Sequence, residues 1–106
     1  MGYIYLICNA SNDTFKIGVT RDSSLKRLKS LQTGSSDELQ ILYTYKCEYP
    51  FRLEKMLHTR FKGKNIRNEW FTLSAYEVSH FEDYCKELDE TIHFMLENQF
   101  FAKDIR

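Results

Sequence analysis

The chain has 106 residues, 42% of them hydrophobic and 28% charged, which suits one globular domain with a modest core. No apolar run approaches the roughly 18 residues that a membrane span needs, and no basic-then-apolar signal segment opens the chain. The net charge of zero hides an asymmetry: residues 1–70 carry 12 Lys+Arg against 7 Asp+Glu, for +5, and residues 71–106 carry 3 against 8, for −5.

The chain begins with two β-forming runs. Tyr3, Tyr5 and Ile7 alternate with Ile4, Leu6 and Cys8, so both faces of a first strand can be covered. Asn9 to Asp13 supplies turn residues, and a second strand runs from about Phe15 to Val19. Gly18 lies inside it, which marks a bulge or a close approach by another group. "RDSSLKRLKSLQTG" predicts a short helix capped by Ser23 or Ser24, striped by Leu25, Leu28 and Leu31, and ended by Gly34. "LQILYTYKC" is a third strand. Pro50 suits the first turn of a second helix, "PFRLEKMLHTRFKGK", stopped near Gly63.

"EWFTL" reads as a short strand or extended segment. Ser74 with Glu77 forms a capping-box pattern that starts the last helix. Val78, Phe81, Cys85, Leu88, Ile92 and Met95 then recur at spacings of three and four, as one helix or as two broken near Asp89 to Thr91. This stripe suits a core face, with a homodimer contact through the C-terminal helix as its alternative. The order is ββαβα(β)α: an α+β domain around a small, mainly antiparallel, three-stranded sheet. Residues 1–90 form the domain and 91–106 a helical extension.

Few residues have the types and spacing that chemistry needs. In the second helix, Leu53, Met56, Leu57 and Phe61 define the buried arc, and Glu54 and His58 lie at its edge. A carboxylate there can be partly desolvated yet reach solvent, as a metal ligand or acid/base group requires; the plain alternative is an i,i+4 Glu–His pair on a solvated face. Arg27 flanks the leucine stripe and could grip phosphate with its planar fork, or simply be solvated. Lys26 and Lys29 look like surface charges or non-specific backbone contacts. His80 and His93 have no partners at metal-ligand spacing. Cys8, Cys47 and Cys85 are dispersed, with no C-x-x-C pair, and fit the reduced thiols of an intracellular protein of cytoplasm or nucleus. The basic first 70 residues suggest a surface for nucleic acid, or charges that merely segregate.

Taken in order, these residues resemble the GIY-YIG endonuclease superfamily over about residues 2–80. The two motifs read Tyr3-Ile4-Tyr5 and Lys16-Ile17-Gly18, followed by Arg27 in "RLKSLQTG", Glu54 and His58 in "LEKMLHTRF", and then "NEWF". The ensemble is most similar to a short phage and viral-type branch that includes a phage open-reading-frame family and a meiotically up-regulated protein. In that branch KIG commonly stands in place of YIG. Tyr3 replaces the glycine of the first motif and Lys16 the tyrosine of the second.

The resemblance implies a phosphodiesterase using one divalent cation, Mg²⁺ or Mn²⁺, with Glu54 as its ligand and the cation stabilising charge on the scissile phosphate and leaving oxygen. Arg27 would hold a non-bridging oxygen. Tyr5 would orient or deprotonate the attacking water, helped by positive charge from Lys16, since an ordinary phenol near pKa 10 is a weak base. His58 would carry a proton or contact substrate. Tyr3, Gly18 and Lys26 would lie along the substrate, and the family's late asparagine corresponds to Asn65 or Asn68, of which Asn68 is taken as the substrate contact.

The leading reading is therefore a metal-dependent DNA endonuclease; the sequence does not separate DNA from RNA. The alternatives are a nucleic-acid-binding module of the same fold with little or no catalysis, and an interaction protein using the final helix.

Overall fold

The computed structural model describes residues 1–21, 24–33 and 38–98, leaving aside the side chains at 24, 25, 27 and 28. The expected caps Ser23 and Gly34, the side chains of Ser24, Leu25 and Leu28, and the extension beyond 98 lie outside what is described.

β1 (Gly2–Asn9) and β2 (Thr14–Thr20) form the expected hairpin, turning through Asp13 with φ of 53°. Aspartate tolerates that left-handed conformation better than most residues. α1 (Ser24–Thr33) follows, then β3 (Leu39–Cys47), which pairs antiparallel with β1. Its register slips between Leu6 and Ile7, leaving Leu42 as an extra, exposed residue. α2 (Pro50–Arg60) starts on its proline and leads through a 3₁₀ turn (Lys62–Lys64) into a second hairpin, β4 (Asn65–Arg67) and β5 (Trp70–Phe71).

The sheet thus has five strands in the order β3-β1-β2-β5-β4, each pairing antiparallel. This enlarges the expected three-stranded sheet. β5 pairs with β2 through Phe15↔Phe71 and Lys16↔Trp70, and β4 is added at the edge because Asn68, at φ 53°, reverses the chain. β4 is wholly exposed and carries Arg67, which discourages pairing with another chain.

Both faces of β1 are covered, as its sequence requires. Ile4, Leu6 and Ile17 join Leu53 and Leu57 of α2 and Phe61 just past its end in the main core, with Phe71 and the last helix. On the other face, Tyr5, Ile7 and Leu39 form a smaller cluster with Leu31 of α1, Ile41 and Trp70.

The capping box at Ser74 and Glu77 is formed, with Ser74 Oγ accepting from Glu77 N–H and Glu77 Oε1 accepting from Ser74 N–H. It starts only a short helix, α3 (Ala75–Ser79). α4 (Phe81–Glu97) then runs unbroken through residues 89–91, so the break falls at His80 rather than near Asp89. There the Ser79 hydroxyl and the His80 ring Nδ1 both bond the Tyr76 carbonyl, which also accepts the His80 backbone N–H at 3.0 Å. Phe81, Cys85 and Ile92 of the stripe are core residues. α4 also passes residue 90 without interruption. Among the described residues, no helix is long and apolar enough to cross a membrane.

Candidate functional site

The motif residues meet around β2, near its junction with β5. Because β5 is only two residues long, it pairs with Phe15 and Lys16 and extends the ladder once more, Ile17 N–H donating to the Glu69 carbonyl at 3.0 Å. The chain then reverses at Asn68. The Ile17 carbonyl is taken instead by α2, with His58 Nε2 donating to it at 2.8 Å. A carbonyl can only accept, so Nε2 carries the proton and, in the neutral ring, the lone pair resides on Nδ1. Edge contact with Phe71, centroids 5.0 Å apart, also orients the ring.

One turn back on the same helix face stands Glu54. Glu69 comes to it from the β4–β5 turn, and one donor atom from each of Glu54, His58 and Glu69 lies within 4.8 Å of the other two. All three are half-buried. Lys16 completes the group: it is 7% exposed, its ammonium lies 3.2 Å from Glu69 Oε2, and it stands 5.7 Å from the centre of the Trp70 ring. Burial pushes the Glu54 carboxyl up to about 7, aided by a hydrogen bond and charge repulsion from Glu69, while Lys16 opposes the rise. Two carboxylates at hydrogen-bond range share a proton when no other cation separates them.

Two carboxylates and an imidazole make a donor set that fits a divalent cation. Carboxylate oxygen suits Mg²⁺ and Mn²⁺, and imidazole favours the transition metal.

Tyr5 is paired with Gly18 across the β1–β2 ladder and is 1% exposed. A Cβ on Gly18 would overlap its phenol, so glycine is required here because the Tyr5 ring crosses over it. The room at Gly18 is filled by Tyr5 and not left for substrate. Tyr3 sits on the same face of β1, half-buried, opposite Thr20 and Lys46. Lys26 is exposed on α1, and the Arg27 side chain lies outside the described residues. Asn68 is exposed in its turn. Asn65, the other candidate, spends its amide on the turn itself, donating to the carbonyls of Asn68 and Trp70.

Residues 2–96 match the T5orf172 domain. The chain belongs to the T5orf172 family. That is a domain of phage and homing-endonuclease-like proteins, in keeping with a nuclease-like or DNA-binding module. Neither the curated proteins nor the solved structures give a match. The match runs into α4, beyond the stretch over which the sequence motifs are recognisable. Within this T5orf172 domain, Glu69 is the residue that motif reading passed over: "NEWF" was visible, but nothing in its spacing said that its acid faces Glu54.

Proposed function

We propose that this T5orf172 domain is a GIY-YIG-type DNA endonuclease that hydrolyses phosphodiester bonds with a single divalent cation, Mg²⁺ or Mn²⁺, held by Glu54. The observation that carries the reading is the convergence of Glu54, His58 and Glu69 beside the buried ammonium of Lys16. An acidic cluster next to a fixed cation is what a phosphate diester needs: a seat for the metal and a counter-charge for its non-bridging oxygens.

Once bound, the cation would supply Lewis-acid stabilisation of the charge on the phosphate and leaving oxygen. Lys16 and Arg27 would neutralise and orient the phosphate. The Tyr5 hydroxyl, aimed by its packing across Gly18, would orient the attacking water. His58, held by Ile17 through Nε2, would have Nδ1 as the nitrogen with a lone pair to offer. The basic balance of residues 1–70 suits the approach of a polyanion.

Two features favour a second reading, a nucleic-acid-binding module of the same fold: Lys16 stands where a phenol would otherwise serve, and Tyr5 is almost wholly buried. Supercoiled plasmid and branched or nicked DNA, incubated with Mg²⁺, Mn²⁺ or EDTA, separate the two. The enzyme cuts in a metal-dependent way that Glu54→Ala abolishes. Binding without cutting, unchanged by Glu54→Ala, supports the binding module and sinks the enzyme.

A further inference from the structure

Glu69 is held in two directions. One side of its carboxylate receives the Lys16 ammonium at 3.2 Å, and its other neighbours are Glu54 and His58. Glu69 and these partners come from three separate places in the chain: the β4–β5 turn, α2 and the centre of β2. None of them is carried by a long, freely moving stem except Lys16. The backbone at Glu69 and Trp70 is pinned, because the Glu69 carbonyl accepts from Ile17 N–H and Trp70 pairs with Lys16. His58 is pinned through Nε2 by the Ile17 carbonyl, which leaves Nδ1 as the nitrogen with a lone pair to give. The arrangement is a prepared donor set with a lysine currently serving as its cation.

Resting on the endonuclease reading, we propose that Glu69 is an exchangeable second metal ligand, completed by His58, and that its recruitment to the cation releases Lys16 to receive the phosphate. An ammonium and a divalent cation compete for the same carboxylate, and the divalent ion wins on charge. Lys16, losing its anionic partner in a site where it is 7% exposed, then needs another anion, which the substrate phosphate provides. Metal and phosphate therefore bind cooperatively, each raising the affinity for the other by the same factor. The imidazole in the set tilts selectivity toward Mn²⁺ over Mg²⁺.

The test is Mn²⁺ binding to the full chain without nucleic acid, read as loss of the free Mn²⁺ signal in electron paramagnetic resonance. Glu69→Gln and His58→Gln should each weaken Mn²⁺ binding by about tenfold or more, on the scale of ligand-shell losses. Lys16→Met should tighten it severalfold by removing the competitor, a gain that a misfolded variant does not produce. In the double variant Lys16→Met/Glu69→Gln, that gain should disappear, because the lysine acts through Glu69. Wild-type affinity in Glu69→Gln, or the same Lys16→Met gain with and without Glu69, overturns the proposal. The plasmid assay reports separately. Mn²⁺ binding with this pattern but no cutting defeats the endonuclease reading and leaves the site standing. Glu54-dependent cutting with unaltered affinity in Glu69→Gln does the reverse.

Discussion

Replacing Glu54 by glutamine should remove metal-dependent function and yet stabilise the metal-free protein at alkaline pH. The Glu54 carboxyl moves from 4.5 in its ordinary state to about 7 in the fold, chiefly by burial and then by Glu69. The folded state therefore keeps a proton that the unfolded chain gives up. Its contribution to stability is fully present below about pH 4.5 and is lost as pH rises through about 7. At full strength such a displacement amounts to about 3 kcal/mol. Glu54 is only half-buried, so screening reduces it to roughly 1–2 kcal/mol. Glutamine preserves the shape, cannot ionise, and can donate its amide N–H to Glu69. In EDTA at pH 8.5 the variant should exceed the wild type by roughly 1–2 kcal/mol in urea unfolding, or about 5–10 °C in midpoint. At pH 5 the two should nearly coincide. A variant less stable at pH 8.5, or a difference that does not change with pH, would show that the site's carboxylates are not the source of the strain.

Lys16→Met should act in the opposite sense, destabilising the metal-free protein by about 1–3 kcal/mol at pH 8.5 and by less at pH 5, where Glu54 is protonated; equal losses at both pH values would refute this. Gly18→Ala forces a Cβ into the Tyr5 phenol and should cost about 1–3 kcal/mol, so an unchanged thermal midpoint would contradict the packing. Leu57→Ala empties a fully buried site under β2 and should lose roughly 2–5 kcal/mol in urea titration. Ser74→Ala removes one arm of the capping box and should lose about 0.5–2 kcal/mol, with no effect on Mn²⁺ binding, since α3 lies outside the site.

Local chemistry made much of this fold legible. The first hairpin, the proline start of α2, the buried arc of Leu53, Leu57 and Phe61, and the Ser74–Glu77 cap all depend on residues within a few positions of one another. What sequence periodicity could not supply was the long-range closure of the sheet. "EWFTL" reads as extended and β5 lies within it, but β4 and β5 are only three and two residues long. Their places come from pairing: β5 on the edge offered by Phe15 and Lys16, and β4 on β5. The stripe's spacing leaves open one helix or a break near Asp89 to Thr91, whereas the fold breaks at His80. Asp89 to Thr91 is locally polar but lies within a continuous helix, with Asp89 Oδ2 accepting from the Tyr45 hydroxyl at 2.9 Å across the core. The break at His80 coincides with side-chain bonds to a single carbonyl, which spacing does not encode.

Lys16 and Glu69 are best understood together. A tyrosine at position 16 would bring a phenol to the site but no positive charge, leaving Glu54 and Glu69 to face each other with only a shared proton between them. The lysine supplies that charge, buried against Trp70 and 3.2 Å from Glu69. The second carboxylate in turn supplies what a buried ammonium requires. The lysine of "KIG" and the acid of "NEWF" are thus two halves of one electrostatic arrangement, 53 residues apart in sequence and joined by the pairing of β2 with β5. Neither residue has an evident purpose when read alone. Side by side they form an ion pair beside Glu54, which a metal and a phosphate would rebalance in the exchange proposed above.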